Sequence, residues 1–282
     1  MGKKKSKIKE ILPPFLYQSL LNWKAQFEFN IKADKKLLAN NAILENSAKG
    51  KRAFLLATGP SINSQDLSIL KGEDCFSLSN FFLHKDLQTI KPKFHFFAPW
   101  HWPLEKDNFY GWMKQGDETL PPETKIFLGD SDADELKKRG IFKNRSTYFL
   151  HFNSHASVGK IDITKPILGP QTGPLMVLPV LINMGYEKIY LLGCDHTILR
   201  DYKKTVKNFY DSKLDVRKNA TDANSWKNDI IYSLHNTLNV FLQYQKYKEA
   251  IEKHYPNTKI INLSNDSWLD LFEFDSLENV LR

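Results

Sequence analysis

Short apolar runs that end in small or polar residues recur along this chain and alternate with stretches of helical character. The runs are Ala53–Ala57, Cys75–Leu78, Phe94–Phe97, Lys125–Leu128, Thr147–Phe152, Lys188–Leu192 and Lys259–Leu263. The helical patterns fall at about 64–70, 104–115, 132–139, 174–184 and 226–254. Strands that alternate with helices predict an α/β fold, with a mostly parallel sheet and helices on both of its faces.

The net charge of +8 is concentrated at the N-terminus. Residues 1–52 hold 12 basic and four acidic residues, whereas the rest of the chain holds 28 of each. This balance argues against a nucleic-acid-binding core, because such a core spreads basic residues over its docking face. We therefore divide the chain into a basic N-terminal segment, residues 1–51, and a domain of residues 52–282. A polar, lid-like insertion lies around 198–225.

The basic N-terminal segment has two interpretations. Phe15, Leu20 and Trp23 could share the face of a helix on an anionic membrane surface, where each nearby basic residue contributes about 1 kcal/mol. Alternatively, this helix packs on the domain and the lysines are solvated. No run approaches 18 apolar residues and no secretory signal follows the first lysines, so we expect a cytoplasmic protein, peripheral at the inner membrane face. Cys75 and Cys194 fit reduced thiols.

Small and polar residues follow the first two predicted strands. The carboxyl ends of parallel strands meet at one edge of a sheet, where ligands bind. Gly59 lets the backbone approach a neighbour closely, Pro60 stiffens the turn, and Ser61 can hold phosphate oxygens or cap a helix. Asn80 offers an amide to a base or ribose, or caps the following turn.

The loop at 169–174 precedes a predicted helix. Pro174 suits the first helical turn, and Gly173 permits close approach. Gln171 and Thr172 would then lie at the positive end of the helix, which attracts anions. Capping of the helix by Thr172 is the alternative.

Three further features contain residue types that can act in catalysis or bind a metal. Asp195 and His196 follow the 188–192 strand and could bind sugar hydroxyls or act as a base, or they could serve the turn. His235 lies in the last long helix, where a lone histidine is usually solvated or packed. The acidic run at 130–135 has the D-x-D form of a metal site, but aspartate and serine caps at a helix start account for it, and no histidine has metal-ligand spacing.

The combined motifs are more specific than their parts. They are Gly59-Pro60-Ser61, Asn80, Gln171-Thr172-Gly173 and Gly185-Tyr186-Glu187-Lys188-Ile189-Tyr190-Leu191-Leu192-Gly193-Cys194-Asp195. Over residues 52–275 the chain resembles the bacterial lipooligosaccharide sialyltransferases. It also resembles the wider family of motility-accessory-factor proteins and hydroxymethylpterin-pyrophosphokinase-like domains. The resemblance implies a Rossmann-like domain that binds a nucleotide, usually the CMP of an activated nonulosonic acid.

The resemblance also implies roles for individual residues. Gly59, Pro60 and Ser61 would lie along the nucleotide phosphate and Asn80 at the cytidine or ribose. Thr172 and Gly173 would hold the donor's carboxylate or phosphate, and Gln171 would also bind substrate. Asp195 would reach the nucleotide or sugar. The general base would be His235, with His196 as the alternative, and Tyr202 and Tyr210 would bind the leaving phosphate.

The function so implied is a glycosyltransferase that moves sialic acid or a related nonulosonate from a CMP-linked donor to a surface glycan or lipid-linked acceptor, with inversion. We expect no cofactor and no metal, because side-chain donors and a helix N-terminus can bear the leaving charge. Further partners would be the anionic membrane and a second copy of the chain in a homo-oligomer, but not nucleic acid. Two functions stay open beside this one: an ATP- and Mg²⁺-dependent pterin pyrophosphokinase, and a non-catalytic binding protein of glycan assembly.

Overall fold

The computed structural model describes residues 12–200, 202, 208–217 and 229–282. The strands are β1 (Arg52–Leu56), β2 (Cys75–Leu78), β3 (Phe94–Phe96), β4 (Lys125–Gly129), β5 (Thr147–Leu150), β6 (Phe152–Asn153), β7 (Ile167–Leu168), β8 (Lys188–Leu192), β9 (Lys259–Asn262) and β10 (Glu273–Phe274). The α-helices are α1 (Pro14–Lys32), α2 (Lys35–Ala39), α3 (Leu87–Ile90), α4 (Lys106–Thr119), α5 (Ala133–Arg139), α6 (Pro174–Asn183), α7 (Ile230–His254) and α8 (Leu277–Leu281).

One sheet organises the described part of the chain. Its strand order is β10-β9-β8-β1-β2-β3-β4-β5, and each neighbouring pair is parallel. In the middle of the sheet, Leu55 of β1 pairs with Phe76 on one side and with Leu191 on the other. The chain runs outwards from β1 to β5 and then returns to β8, on the opposite side of β1. The strand order therefore reverses between β1 and β8, and such a reversal is where open α/β sheets form a crevice at their carboxyl edge.

Both faces of the sheet are covered, so the predicted α/β architecture is confirmed. Leu55 packs into a core with Val177 of α6 and Tyr247 of α7. Phe54, one residue earlier, points to the other face and shares a second core with Trp112 of α4. Because successive side chains of a strand alternate between faces, a strand covered on both sides has to be apolar throughout. This is why the 53–57 run carries no polar residue.

The N-terminal segment is helical from residue 14, as the sequence predicts. Ala25 and Phe29 of α1 are buried against the domain, whereas Phe15, Trp23 and Ile31 are exposed. Asp34 begins α2, since its carboxylate accepts hydrogen bonds from the backbone N–H groups of residues 36 and 37. The first lysines of the segment lie outside the described residues. The helix therefore has one packed face and one solvent-facing apolar face.

Two predicted elements differ in the structure, and several short elements were not predicted. The helix expected at 64–70 is wrong: two 3-10 turns, Pro60–Ser64 and Leu67–Leu70, are separated by the extended Gln65, and the side chain of Asp66 caps the second. The strand expected at 147–152 is interrupted at His151, because β6 leaves the sheet and pairs with β7. The short β6, β7, β10 and α3 were not predicted, since two to four residues carry no readable period.

The 198–225 insertion is only partly within the described residues. Its described portion contains one 3-10 turn, Ser212–Leu214, and touches the domain where Phe209 N–H donates to Thr58 O at 3.2 Å. The following helix, expected from 226, is described from Ile230 and is capped by Asp229. Among the helices that the structure describes, none has the length and apolar character needed to cross a membrane.

Candidate active site

Two glycines bring the loops after β1 and β8 into direct contact. The N–H of Gly59 donates to the carbonyl oxygen of Gly193 at 2.9 Å. A Cβ on Gly59 would lie 2.5 Å from that oxygen and 2.6 Å from the Asp195 carboxyl carbon. Gly193 has φ +68° and an added Cβ would meet Ile62 at 2.7 Å. The close approach that the sequence predicts at Gly59 is therefore made to the β8 loop.

Ser61 and Asp195 join the same two loops through side-chain hydrogen bonds. The Ser61 backbone N–H donates to Asp195 Oδ2 at 2.9 Å, and the Ser61 hydroxyl donates to Asp195 Oδ1. Burial raises the pKa of the Asp195 carboxyl, and the two bonds from Ser61 oppose that rise. The Ser61 hydroxyl, which the sequence predicts could hold phosphate oxygens, is thus already directed at Asp195.

A cavity of about 500 Å³ opens at the point where the strand order reverses. Its walls come from the ends of β1, β2, β3 and β8, from the loop before α6, and from Ile198, Arg200, Asn208 and Arg217. Of the residues predicted from the sequence, the cavity is lined by Gly59, Pro60, Thr172, Gly173, Asp195 and His196. Loops more than 130 residues apart in the sequence thus form a single crevice at the carboxyl edge of the sheet.

His196 is held in the cavity wall in a neutral form. Its Nε2 lies 2.9 Å from the hydroxyl of the buried Tyr244, and its ring packs edge-on against Tyr244 and Phe241. Burial lowers the pKa of His196 to about 4. Its backbone has φ +51°, and Ser79 across the cavity has φ +54°, which is uncommon for residues other than glycine. Strained backbone of this kind often occurs at binding sites.

Asn80 lies beneath the cavity in a chain of polar contacts. It is fully buried, and its side-chain oxygen Oδ1 accepts a hydrogen bond from Trp112 Nε1. Its amide donates to Asp215 Oδ2 at 3.0 Å, and Asp215 accepts two bonds from Arg217. Trp112 and Arg217 both line the cavity. Asn80 itself does not line the cavity, but it bonds to Trp112 and, by way of Asp215, is connected to Arg217, which do. The oxygen and the nitrogen of its side-chain amide both have protein partners.

The loop before α6 places two of its three predicted residues on the cavity. Thr172 and Gly173 line it, whereas the Gln171 side chain is exposed and its backbone N–H donates to Gln243 Oε1 of α7 at 2.8 Å. Pro174 is the first helical residue, as predicted, but the side chain of Thr172 makes no capping bond. Capping by Thr172 is therefore wrong, because the helix N-terminus is closed by backbone bonds to the carbonyls of residues 172 and 173.

The remaining predicted residues do not line this cavity. His235 is exposed on α7, about two helical turns before Gln243. Tyr202 is half-buried. Tyr210 is also half-buried, with its hydroxyl 3.5 Å from Asp215 Oδ2, and burial together with that carboxylate raises its pKa. Their predicted parts in catalysis stay predictions.

The acidic run at 130–135 is directed away from this cavity. Asp130 Oδ2 lies 2.6 Å from His151 Nδ1, beside a separate cavity of about 450 Å³. Asp132 is buried and accepts bonds from Trp100 N–H and the Tyr110 hydroxyl, so its predicted capping of α5 is wrong. Burial raises the pKa of Asp132. Within the described ranges, no group of three or more His, Cys, Asp or Glu side chains could hold a metal ion.

Sequence analysis missed four residues of the site: Trp112, Arg200, Asp215 and Arg217. Trp112 belongs to the core of a helix that showed only an apolar pattern. Arg200 and Arg217 lie in the polar 198–225 stretch, where sequence analysis assigned roles to Tyr202 and Tyr210 but to neither arginine. Nothing in the spacing connects Arg217 to Asn80, 137 positions earlier, because the intervening Asp215 makes the connection in space.

The fold and this cavity define an α/β domain with a cavity at the reversal of its strand order. No protein-family model matches the chain, and no curated protein matches it either. Two similar solved structures are the sialyltransferase CST-II with a trisaccharide acceptor and CMP, and CstII from Campylobacter jejuni with the substrate analogue CMP-3FNeuAc. Both are 19% identical to this chain and cover 79% of it; the alignments span 85% and 84% of those chains, with TM-scores of 0.43 and 0.38.

Proposed function

We propose that this protein is a glycosyltransferase that uses a CMP-activated sugar, sialic acid or a related nonulosonate, and transfers it to a surface glycan acceptor. The observation that carries the proposal is the cavity at the strand reversal. Gly59, Pro60, Thr172 and Gly173, which belong to the motifs that resemble the sialyltransferases, line it together with Asp195. A volume of about 500 Å³ lies within the range of small-molecule sites.

The proposed chemistry is direct displacement with inversion. A base takes the proton of the acceptor hydroxyl, the hydroxyl oxygen forms its bond to the sugar, and CMP leaves with the electron pair of the broken bond. His196 is poorly suited to act as the base, because a base works best with a pKa near the operating pH and burial lowers that of His196 to about 4. In addition, Nε2 of His196 already contacts Tyr244. We therefore keep His235 as the proposed base.

Helix α7 connects His235 to the wall of the cavity. Gln243 of this helix accepts a hydrogen bond from the backbone N–H of Gln171, and the hydroxyl of Tyr244 contacts His196 in the cavity wall. His235 precedes them by eight and nine residues, a rise of about 12 to 14 Å along the helix axis. The helix is thus fixed to the cavity wall at its middle, with His235 towards its N-terminal end.

A nucleotide-binding panel tests the proposal. Calorimetry and thermal shift with CMP, CDP, UDP, GDP and ATP–Mg²⁺ should give a response to CMP. At a CMP concentration of 100 times Kd the folded state should gain about 2.7 kcal/mol. A response to ATP–Mg²⁺ with none to cytidine nucleotides would reject the proposal in favour of pyrophosphoryl transfer.

We also propose that the N-terminal segment holds the enzyme at an anionic membrane face. Trp23 and Phe27 stack with centroids 5.5 Å apart and are 66% and 52% exposed on α1. Phe15 and Ile31 extend this apolar face at 69% and 67% exposure. Such a face beside an excess of lysines is typical of helices that lie in a membrane interface. The alternative of a helix packed on the domain accounts for Ala25 and Phe29 but leaves the other face uncovered.

A further inference from the structure

Arg217 presents its guanidinium group at the wall of the cavity, in an arrangement that sequence patterns do not indicate. Its group lies 4.3 Å from the centre of the Trp112 ring, and both residues line the cavity. The stacking fixes the plane of the guanidinium and removes part of its hydration. About 22% of the Arg217 side chain is exposed, so the cation is mostly shielded from solvent yet open to the cavity.

Asp215 already binds this guanidinium as an anionic ligand would. Arg217 Nε donates to Asp215 Oδ1 at 2.9 Å, and a terminal nitrogen donates to Oδ2 at 2.6 Å. This two-bond fork is the geometry in which arginine recognises carboxylates and phosphates alike. The edge that Asp215 uses is therefore suited to a phosphate.

The charge on Asp215 is maintained by its neighbours. Burial alone would raise its pKa, but the bonds and positive charge of Arg217, with the Asn80 amide, outweigh burial and lower the pKa. Asp215 also keeps contacts with Asn80 at 3.0 Å and Tyr210 at 3.5 Å. It thus has other partners if a stronger anion takes the guanidinium.

We propose that Arg217 binds the phosphate of the nucleotide, and that Asp215 is an internal competitor for the same edge of its guanidinium. This inference rests on the proposed nucleotide site and adds Arg217 as the residue that recognises the negative charge of the phosphate. It also assigns a reason for the position of the 208–217 segment over the cavity: the segment brings in a cation for the phosphate and an anion that holds it in place.

Calorimetry of full-length variants with CMP and with cytidine, which lacks the phosphate, tests the inference. Arg217→Gln should weaken CMP binding by about 10- to 100-fold and leave cytidine binding unchanged, as expected when a hydrogen bond to a charged group is lost. Asp215→Asn keeps the shape and one acceptor for Asn80 but removes the charge, so it should strengthen CMP binding several-fold. Lys213→Gln is the matched control, since Lys213 is exposed in the same segment.

The outcomes separate this inference from the proposed function. If the wild-type protein binds CMP but Arg217→Gln leaves the ratio of CMP to cytidine affinity unchanged, the role of Arg217 is rejected and the nucleotide site stands. An equal loss in Lys213→Gln would also reject it, because any positive charge of the segment would then suffice. Weaker CMP binding by Asp215→Asn would reject the competition. If the wild-type protein binds no nucleotide of the panel, both proposals fail.

Discussion

Ser61 donates two hydrogen bonds to Asp195, one from its backbone N–H and one from its hydroxyl, and so ties the loop after β1 to the loop after β8. Asp195 is 7% exposed as a residue, so these bonds replace much of the contact of its carboxylate with water. Removing a partner of a buried charged group costs more than the bond itself contributes, because the remaining group stays desolvated.

Ser61→Ala and Asp195→Asn should each destabilise the protein by about 1 to 3 kcal/mol. In the double variant the loss should be smaller than the sum, with a coupling of about 0.5 to 3 kcal/mol, because the two residues share one interaction. Urea unfolding of the four proteins measures this cycle. Additive losses would contradict the pairing.

Gly59→Ala should destabilise the protein by about 1 to 3 kcal/mol, since its Cβ would meet backbone and carboxyl atoms that cannot move apart without separating the two loops. Gly111→Ala is the matched control. Gly111 lies in α4 with nothing within 4 Å of an added Cβ, and alanine there should stabilise by about 0.5 to 1 kcal/mol. Thermal unfolding distinguishes the two; equal stability would contradict the contact of the loops.

His196 makes folding stability depend on pH. Its pKa is about 4 in the folded protein and 6.5 for an ordinary histidine. The unfolded chain therefore takes up the proton first as the pH falls. The contribution of His196, up to about 3 kcal/mol, is complete above pH 6.5 and declines as the pH drops towards 4.

His196→Asn removes this titration and tolerates the left-handed backbone at φ +51°. The wild type should therefore lose unfolding free energy relative to His196→Asn as the pH is lowered from 7 to 4. Urea unfolding at several pH values measures it, and a difference independent of pH would show that His196 is not held neutral.

His235→Gln should lower kcat of the proposed transfer by about 10²- to 10⁴-fold, the usual contribution of a general base, while CMP binding stays unchanged. His254→Gln serves as control, because His254 is exposed at the other end of the same helix. Steady-state kinetics with a CMP-linked donor and calorimetry with CMP give the two quantities. If His235→Gln keeps the kcat of the wild type, His235 is not the general base.

Membrane binding through α1 should require its exposed aromatic face. Trp23→Ser combined with Phe27→Ser should weaken binding to anionic liposomes by tenfold or more. Burial of one large apolar side chain contributes about 1.5 to 3 kcal/mol, and the double variant loses two such side chains. Ile69→Ser is the control, since Ile69 is 44% exposed on the domain. Sedimentation with liposomes at low and high salt measures both. Unchanged binding of the double variant, or no binding of the wild type at low salt, would contradict the membrane role.

The sequence was most informative where one local cause decides the structure. The apolar 53–57 run became a strand covered on both faces, and Pro174 begins α6. Prediction from the sequence failed where a residue far away in the chain determines the contacts of a side chain. Asp132 follows a helix-start pattern, yet Trp100 and Tyr110 take its carboxylate. Local periodicity also could not show that Asp215 connects Arg217 with Asn80, because that contact depends on how the insertion lies over the sheet.

The reversal of strand order between β1 and β8 also determines when the site can form during synthesis. Ser61 and Asp195 are 134 positions apart, so the chain leaves the ribosome with the first loop long before the second exists. Strands β1 to β5 can pair in their order of emergence, whereas the cavity has to wait for β8. Contacts of such sequence separation form slowly. A nascent chain that ends before residue 188 therefore contains five of the eight strands of the sheet and an incomplete cavity.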